Sequence, residues 1–499
     1  MSKLDPVLDP HELAKYLSGK HFIDGAFVPA ASGKAFDVVN PATGEVIAQA
    51  AEGDAEDVDR AVASAKAAFS SWREVKARDR GKLVMECGRL LEGHAEELGR
   101  LIALETGKAL RTESRVEGKV LADVFLYYGG LASELKGETI PFSPEMLTLT
   151  VREPLGVVGA IIPWNVPALL MALKIAPALV AGNTCVVKSA EEAPLAVLRV
   201  CELMNTILPK GAFNILSGFG PECGAPLAEH PDVAKVTFTG SVETGRIVNV
   251  AAAKKLVPCT LELGGKSPMI VAADGDLGKA VDGAVVGMRF TRQGQSCTAA
   301  SRIFVHEEVF DAFLERLKAK VDAMKMGDPL DEETDIGTII SPGQYEKVKA
   351  YIEAGKDIPG AVAHECSELP TDPKLKDGLF VRPVIFTGID NDSKLAREEI
   401  FGPVTLLLPW TDPDEVIARA NDTEYGLAAT VWTNDMNFAL RATHALEAGF
   451  VQVNQNLVVQ PMLSYGGVKN SGLGKEASLE AMLEHFTHKK TIILNMARA

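Results

Sequence analysis

Cys297 stands in surroundings that suit a nucleophile. It lies in a polar loop of mostly small residues, Arg292 to Thr298, at the end of a predicted helix. A nucleophilic thiol needs solvent access and hydrogen-bond donors, which such a loop supplies and an apolar core does not. A cysteine more often serves as a small buried hydrophobe, and the other six cysteines fit that structural role. The pattern predicts a reactive thiol at Cys297.

Glu262 interrupts an otherwise apolar strand, Thr260 to Leu263, which ends in Gly264-Gly265-Lys266. A carboxylate among leucines either pairs with a cation, such as Lys266, or has a raised pKa that suits a general base. The sequence favours neither interpretation over the other.

Asn165 lies between Pro163 and Pro167, after a predicted strand and before an apolar helix. An asparagine before a proline-initiated helix commonly serves as its N-cap. The same amide could instead donate a hydrogen bond to a developing oxyanion. The sequence does not separate these roles.

A phosphate site is predicted at one strand-to-helix junction. The glycines of Gly218 to Gly224 are spaced one residue too far apart for the G-x-G-x-x-G dinucleotide fingerprint. Phe238 to Gly245 is the better candidate, because donors at a helix N-terminus suit a phosphate. Taken alone, Ser241 is better explained as an ordinary helix cap.

Lys188 and Glu191 follow a strand at its carboxyl end, the edge where open α/β sheets bind ligands. An exposed charge pair is the plain alternative. Glu399, in Arg397 to Pro403, has the same alternative.

These candidates need a scaffold that brings strand ends together. Short β-branched runs alternate with helical stretches from about residue 155, which predicts a parallel, doubly wound sheet. The expected strands are 157–162, 184–188, 213–216 and 233–239, and the expected helices are 169–180, 193–208, one after Pro221, and 241–256. A second α/β domain is expected after Gly265, with strands at 269–271 and 302–306 and near Val384, Val404, Ala428 and Val451, and helices at 277–288 and 309–324.

Flanking segments complete the predicted architecture. Hairpin strands are expected at 25–27 and 38–46, and amphipathic helices at 54–72 and 78–105. Two strand-like segments, 146–151 and 489–494, belong to neither sheet. Because unpaired edge strands are a liability, we expect these two to pair with each other or with a second subunit.

Composition excludes several classes of function. The 499 residues carry a net charge of −16 without a Lys/Arg-rich block, which argues against nucleic-acid binding. No run reaches the roughly 18 to 20 apolar residues that span a bilayer, and the start lacks a signal-peptide pattern. The seven cysteines include no C-x-x-C pair, so we expect no disulfide framework, no metal site, and a cytoplasmic setting.

Together these segments resemble the aldehyde dehydrogenase superfamily, from about residue 20 to the C-terminus. The motifs occur in family order, at 163–167, 238–245, 261–268, the loop ending in Cys297, 398–404 and 466–472. The resemblance implies the hydrolytic, non-acylating oxidation of an aldehyde to a carboxylic acid with NAD. Cys297 would be the nucleophile, Glu262 the general base and Asn165 the oxyanion donor.

The resemblance also implies the cofactor contacts. Lys188 and Glu191 would hold the adenosine ribose, with NAD preferred over NADP because a 2′-phosphate would meet a carboxylate. Gly240 and Ser241 would hold the pyrophosphate, and Glu399 the nicotinamide ribose. The remaining predicted contacts are Ile161, Ile162, Pro163, Trp164, Ser189, Gly220, Gly224, Phe238, Thr239, Thr244, Gly245, Leu263, Gly264 and Phe401.

By the same mapping, the substrate pocket is lined by Val166, Leu170, Leu173, Phe290, Leu457, Val459 and Tyr465. This mostly aliphatic set, with one phenol hydroxyl, favours an uncharged, medium-sized aldehyde over a semialdehyde, although Arg292 weakens that preference. Two departures from the family pattern, Ser464-Tyr465 for Pro-Phe and Lys475-Glu476 for Arg-Glu, keep size and charge. We expect them to affect packing or specificity more than mechanism.

The implied architecture has three parts and forms a homodimer or homotetramer. An α/β cofactor domain with a doubly wound parallel sheet would span 1–135 and 155–263, a second α/β catalytic domain 264–465, and a small β oligomerisation element 136–154 and 483–499. Two other functions stay open, a CoA-acylating dehydrogenase and a non-catalytic relative. Glu262 argues against the first, because transfer of the acyl group to CoA needs no base to activate water. The intact set of Cys297, Glu262 and Asn165 argues against the second.

Overall fold

The structure, a computed structural model, describes residues 5–456 and 460–496. Its strands are β1 (His21–Ile23), β2 (Ala26–Val28), β3 (Ala35–Val39), β4 (Val46–Ala51), β5 (Thr139–Ser143), β6 (Met146–Pro154), β7 (Val157–Ile161), β8 (Thr184–Lys188), β9 (Phe213–Leu216), β10 (Val233–Thr239), β11 (Cys259–Glu262), β12 (Pro268–Val271), β13 (Arg302–His306), β14 (Val362–Glu365), β15 (Val384–Thr387), β16 (Val404–Trp410), β17 (Ala428–Trp432), β18 (Phe450–Val453), β19 (Gly472–Leu473) and β20 (Thr487–Asn495).

The α-helices are α1 (Pro10–Leu17), α2 (Ala55–Trp72), α3 (Ala77–Gly93), α4 (Ala95–Thr106), α5 (Arg115–Gly130), α6 (Pro167–Ala181), α7 (Leu195–Met204), α8 (Ala225–Glu229), α9 (Val242–Lys255), α10 (Leu277–Met288), α11 (Phe310–Asp322), α12 (Pro342–Lys356), α13 (Lys394–Arg397), α14 (Pro413–Asn421), α15 (Met436–Ala445) and α16 (Leu479–His485). None within the described ranges is both long and apolar enough to cross a membrane.

The first sheet has eight strands in the order β19-β11-β10-β7-β8-β9-β1-β2. Its central strands, from β11 to β9, run parallel, whereas β19 and β1 pair antiparallel with their neighbours. Every residue of β7 and β8 is buried, as expected of parallel strands that helices cover on both faces. The predicted doubly wound parallel sheet is confirmed.

The second sheet has seven strands in the order β14-β15-β16-β13-β12-β17-β18. All neighbouring strands run parallel except the edge pair β14 and β15. Apolar side chains form a separate cluster on each face of this sheet. The predicted second α/β unit is therefore present.

A third, antiparallel sheet has the order β20-β6-β5. β6 and β20 pair along their whole lengths, from Met146 opposite Asn495 to Pro154 opposite Thr487. The two segments without a place in either large sheet therefore pair with each other, as predicted.

The stretch 38–46, predicted as one strand, is instead the end of β3, a tight turn and the start of β4. Asn40 N–H donates to the Glu45 carbonyl at 2.8 Å, which closes the turn. Gly44 has a φ of 77°, a left-handed conformation that a glycine adopts without strain.

Two predicted helices also have different bounds. The stretch 78–105 is two helices, α3 and α4, because the backbone at His94 departs from helical geometry with φ −104° and ψ 9°. The helix predicted at 193–208 is the shorter α7. Its first turn is fixed by the Glu105 carboxylate, which accepts hydrogen bonds from the N–H groups of Leu195 and Ala196 at 2.7 and 3.0 Å.

Candidate active site

A cleft opens at the carboxyl ends of β7, β10 and β11, the edge at which open α/β sheets bind ligands. It has about 700 Å³ of empty volume, part of which is open to solvent. The residues that line it come from the segments of both large sheets: Pro163, Trp164, Asn165, Thr239, Gly240, Ser241, Leu263, Gly264, Cys297, Gln344, Lys347, Glu399 and Phe401. All of them except Gln344 and Lys347 belong to the site predicted from the sequence.

Two glutamine side chains hold the Cys297 loop in place. Gln293 Nε2 donates to the Gly337 carbonyl at 2.9 Å, and Gln295 Nε2 donates to the Thr338 carbonyl at 3.1 Å. Between them, Gly294 has a φ of 64°, and a side chain there would collide with a facing backbone carbonyl. The residues around the cysteine therefore fix the position of its backbone.

The Cys297 thiol is partly exposed, and its Sγ lies 3.5 Å from Tyr465 Oη. Burial raises the pKa of the thiol to about 11; the Tyr465 hydrogen bond opposes this shift, and the carboxylates of Glu399 and Glu262 add to it. A thiol with this pKa is mostly protonated at neutral pH. Attack on an aldehyde therefore needs groups that remove the proton or stabilise the thiolate.

The amide of Asn165 points toward the Cys297 loop. Its Nδ2 donates to the Gln295 carbonyl at 3.2 Å, two residues before Cys297. The first turn of α6 is capped by another residue, since Glu117 Oε1 accepts hydrogen bonds from the N–H groups of Ala168 and Leu169. The N-cap interpretation of Asn165 is therefore wrong, and the residue lines the cleft.

Glu262 ends β11 as a buried carboxylate whose Oε2 has no hydrogen-bond partner within the described part of the chain. Burial, with repulsion from Glu476, raises the pKa of Glu262 well above its usual range, and the Lys174 and Lys475 ammonium groups oppose the shift. A Cβ at Gly466 would lie 2.6 Å from Glu262 Oε1, so only a glycine leaves space beside the carboxylate.

Lys266 is not the partner of Glu262. No ion pair joins them among the described residues, and Lys266 Nζ is itself buried without a hydrogen bond. Burial lowers the pKa of Lys266 to about 7. Of the two interpretations left open by the sequence, the raised pKa at Glu262 is the one that the structure supports.

Lys188 and Glu191 form an ion pair at the carboxyl end of β8. Lys188 Nζ donates to Glu191 Oε2 at 2.9 Å, and the lysine side chain is 4% exposed whereas the glutamate side chain is 37% exposed. The pair is therefore not a fully exposed one, and its carboxylate is the more exposed partner. Ser189 beside it donates its hydroxyl to the Leu216 carbonyl.

Ser241 is the N-cap of α9, as its ordinary interpretation predicts. Its Oγ accepts from Thr244 N–H at 3.2 Å and donates to Thr244 Oγ1 at 3.0 Å. Both Gly240 and Ser241 line the cleft, so the free N–H groups of the first turn of α9 lie at its wall. A Cβ at Gly240 would collide with the Phe238 ring below it.

Glu399 is half-buried and lines the cleft. Its Oε1 accepts from Gly265 N–H at 2.9 Å, and burial raises the pKa of the carboxyl group above its usual value. Phe401, with a φ of 57°, packs edge-on against Trp164 with ring centroids 5.3 Å apart. The plain alternative for Glu399, an exposed charge, is therefore wrong.

Comparison with known proteins identifies this arrangement. Residues 27–492 match the model of the aldehyde dehydrogenase family. The chain belongs to the aldehyde dehydrogenase family. It is 43% identical over 474 residues to aldehyde dehydrogenase family 2 member B4, mitochondrial, of Arabidopsis thaliana, a match that covers 94% of this chain and 87% of the relative. It is 42% identical over 478 residues to a mitochondrial benzaldehyde dehydrogenase of Antirrhinum majus, covering 95% of this chain and 88% of the relative.

Solved structures agree with this assignment. The NAD+ complex of an aldehyde dehydrogenase from Bacillus cereus superimposes with a TM-score of 0.93 at 38% identity, covering 97% of this chain and 98% of that one. The chain is thus an oxidoreductase of the class that acts on aldehydes, with the fold of that family.

The remaining predicted cofactor residues of this aldehyde dehydrogenase follow strands of the first sheet or lie near their ends. Ile161 and Ile162 lie at the end of β7, and Gly220 to Gly224 form a π-helical turn that leads into α8. Gly245 faces the Leu263 side chain, which a Cβ would strike. None of Ile161, Ile162, Gly220, Gly224 and Gly245 lines the cleft, so their role at the cofactor stays a prediction.

The predicted substrate residues are more dispersed. Leu173 and Phe290 are fully buried, the first in the core of the first domain and the second in the core beside α10. Val166 and Leu170 are 8% exposed, and none of these four lines the cleft. Leu457 and Val459 lie outside the described residues. Tyr465, by contrast, lies within hydrogen-bonding distance of the Cys297 sulfur.

Sequence reasoning missed the buried charges that support Asn165. Lys108 Nζ donates to the Asn165 carbonyl at 2.9 Å and also pairs with Glu117, the residue that caps α6. These partners lie about 50 positions away in the chain, so no local pattern reveals them. The spacing of Glu113 and Glu117 could have revealed part of this arrangement. Side chains four residues apart in a helix lie on one face, so the spacing predicts two carboxylates side by side.

Proposed function

We propose that this protein oxidises an aldehyde to a carboxylic acid with NAD, through a thioester on Cys297 that is hydrolysed by water activated by Glu262. The observation that carries the proposal is that Cys297 opens on the same cleft as Gly240, Ser241 and Glu399. A nucleophile and an anion-binding helix end in one cleft suit a substrate and a dinucleotide that react with each other.

The residues of the cleft fit NAD. The N–H groups at the start of α9 suit a pyrophosphate. The Glu399 carboxylate, which already accepts one backbone hydrogen bond, has capacity to accept others from ribose hydroxyls. NAD, when bound, supplies the hydride acceptor, and the protein supplies position and electrostatics.

The first chemical step forms a bond between Cys297 Sγ and the aldehyde carbon. The carbonyl oxygen then becomes an oxyanion, which the Asn165 amide and the Cys297 N–H stabilise by donating hydrogen bonds. Its collapse releases hydride and leaves a thioester. Because the Asn165 backbone is fixed by Lys108, its amide needs little reorganisation when charge develops.

Hydrolysis of the thioester needs a base, and Glu262 has the properties of one. Its buried carboxylate has a raised pKa and an Oε2 free of hydrogen bonds within the described part of the chain. It can take a proton from a water molecule that attacks the thioester carbon, which releases the acid and the thiolate.

One assay tests this proposal against its rivals. Purified protein is given NAD and a panel of aldehydes, with and without CoA, and NADH and products are measured. We expect NADH and free acid without CoA. Formation of acyl-CoA only when CoA is present would favour the acylating alternative, and no NADH with any aldehyde would favour a non-catalytic relative.

For the substrate, we propose an uncharged, medium-sized aliphatic or aromatic aldehyde. Arg292, the cation that would favour a semialdehyde, is neutralised by Glu113, whose Oε2 lies 3.0 Å from Arg292 Nε. In a kinetic screen, benzaldehyde and hexanal should have higher kcat/KM than succinic semialdehyde; the opposite order would reverse this ranking.

Replacing Glu191 with serine should shift cofactor choice toward NADP. The wild type should prefer NAD by about ten- to a thousandfold in kcat/KM, roughly 1.4 to 4 kcal/mol, because Glu191 accepts hydrogen bonds from ribose hydroxyls and repels a 2′-phosphate. The substitution also releases Lys188 from its ion pair, so that its ammonium group can meet the phosphate. The ratio of kcat/KM for the two cofactors checks the prediction.

Glu191→Gln is the matched control, since it keeps the length and a hydrogen-bond acceptor but removes the charge. It should move the ratio toward NADP by less than the serine does. Equal use of both cofactors by the wild type, or a ratio unchanged in Glu191→Ser, would show that Glu191 is not the ribose ligand.

We further propose the domain limits 1–135 with 155–263, 264–465, and 136–154 with 483–499, and assembly into a homodimer or homotetramer. The small sheet supports the last part, because β5 and β20 carry exposed apolar side chains, including Phe142 at 70% and Ile493 at 60% exposure. Sedimentation equilibrium would decide between the two assemblies, and a monomer would exclude both. A cytoplasmic location stays a prediction.

A further inference from the structure

The phenol hydroxyl of Tyr465 lies next to the sulfur of Cys297. Its Oη lies 3.5 Å from Sγ, within hydrogen-bonding distance for sulfur. The side chain is 3% exposed, and this is its one hydrogen bond to residues 5–456 and 460–496. The contact is therefore more than a change in packing.

The position of the hydroxyl is fixed by the backbone. Tyr465 N–H donates to the Glu476 carbonyl at 3.0 Å, and Glu476 N–H donates back at 2.7 Å. The Tyr465 ring packs edge-on against Phe450, with centroids 5.8 Å apart. Glu476 is anchored in turn, because its Oε1 accepts from Lys174 Nζ at 2.6 Å. A hydroxyl held this firmly loses little entropy when it donates a hydrogen bond.

The direction of the hydrogen bond follows from the ionisation of the thiol. A thiolate has no proton and can only accept, so Tyr465 must be the donor once Cys297 ionises. Burial raises the pKa of Tyr465 well above its usual value, and the Cys297 charge adds to the shift. Burial and the neighbouring negative charge thus both favour the protonated phenol, the form that can donate a hydrogen bond.

The charges that face this pair do not by themselves favour a thiolate. Glu262 and Glu399 disfavour it, and Arg292, which favours it, is largely neutralised by Glu113. Arg289 is 8% exposed, lines a small cavity with Tyr465 and Thr298, and makes no ion pair within the described ranges. The charged groups that face Cys297 or Tyr465 are Glu262, Glu399, Glu476, Arg289 and Arg292.

We propose that Tyr465 is a catalytic residue whose hydroxyl donates a hydrogen bond to the Cys297 sulfur and stabilises the thiolate that attacks the aldehyde. Arg289 contributes the nearby positive charge. The proposal rests on the proposed role of Cys297 as the nucleophile. A hydrogen bond to a charged acceptor changes such an ionisation equilibrium by about tenfold to a hundredfold.

The test replaces Tyr465 with phenylalanine, which removes only the hydroxyl, and measures thiol reactivity directly. Wild type and Tyr465→Phe are alkylated with iodoacetamide over a range of pH, and peptides containing Cys297 and Cys259 are quantified by mass spectrometry. At neutral pH, Cys297 should react at least about tenfold more slowly in the variant, with its pH midpoint about one unit higher. The acid limb of kcat/KM should move to higher pH with it.

Two controls separate this effect from a general disturbance. Cys259 is also partly exposed, and burial raises its pKa to about 11 as well, but it has no hydrogen bond to a tyrosine in the part of the chain that the structure describes. Its alkylation rate should be the same in both proteins. Tyr128→Phe removes a phenol hydroxyl from the same apolar core without touching Cys297, and should leave both thiols unchanged.

The outcomes distinguish the proposed role of Tyr465 from the proposed role of Cys297. An unchanged alkylation profile of Cys297 in Tyr465→Phe overturns the role of Tyr465, even where activity falls, and leaves Cys297 as the nucleophile. Retained turnover in Cys297→Ala would overturn the proposed function instead, whatever the alkylation of the tyrosine variant shows.

Discussion

Replacing Cys297 with alanine should abolish NADH formation with every aldehyde while leaving NAD affinity nearly unchanged. The thiol makes the covalent bond to the substrate, so its loss removes the reaction path, and we expect kcat to fall more than about a hundredfold. The substitution should not move the loop, because hydrogen bonds of Gln293 and Gln295 hold its backbone. Gly240, Ser241 and Glu399, the proposed cofactor residues, should therefore stay in place. Steady-state NADH formation and calorimetric titration with NAD measure the two effects.

Cys259→Ala is the matched control, since Cys259 is also a partly exposed thiol but lies at the start of β11, at the other end of the strand from Glu262. It should keep most of the activity. Turnover above about one per cent of wild type in Cys297→Ala would contradict the assignment of the nucleophile. A large loss of NAD affinity would show that the thiol supports the cofactor site as well.

The strands that position the site could be predicted because their residues are buried on both faces. Continuous apolar runs such as Val157 to Ile161 predict buried strands. Their alternation with helices then predicts that the strands run parallel. Helix ends were less predictable. The start of α7 depends on the Glu105 carboxylate, which lies 90 residues earlier in the chain.

The candidate site shows the same division between local and distant interactions. Residue type and loop composition were enough to single out Cys297, because both are local properties of the sequence. The role of Asn165 could not be decided locally, since its freedom depends on Glu117 taking over the cap of α6. The Tyr465 hydroxyl was noticed, but its contact with Cys297 joins residues 168 positions apart.

Replacing Glu262 with glutamine should slow thioester hydrolysis far more than hydride transfer. Glutamine keeps the size of the side chain but cannot accept the proton of the attacking water, and loss of a general base costs about a hundredfold to ten-thousandfold. A rapid burst of NADH, close to one per active site, should therefore precede a much slower steady state. Stopped-flow absorbance measures the burst, and rapid quenching measures the thioester that accumulates.

The raised pKa of Glu262 predicts how the rate of thioester hydrolysis changes with pH. Below this pKa the carboxyl group is protonated and cannot act as a base, so hydrolysis by the wild type should slow as the pH falls. The slow hydrolysis by Glu262→Gln should lack that limb. Glu105→Gln is the control, because Glu105 is a buried carboxyl with its pKa raised to about 8 whose hydrogen bonds, within residues 5–456 and 460–496, go to the start of α7. It should preserve both the burst and the limb. If Glu262→Gln loses the burst itself while remaining folded, Glu262 acts before hydride transfer, as the base that deprotonates Cys297.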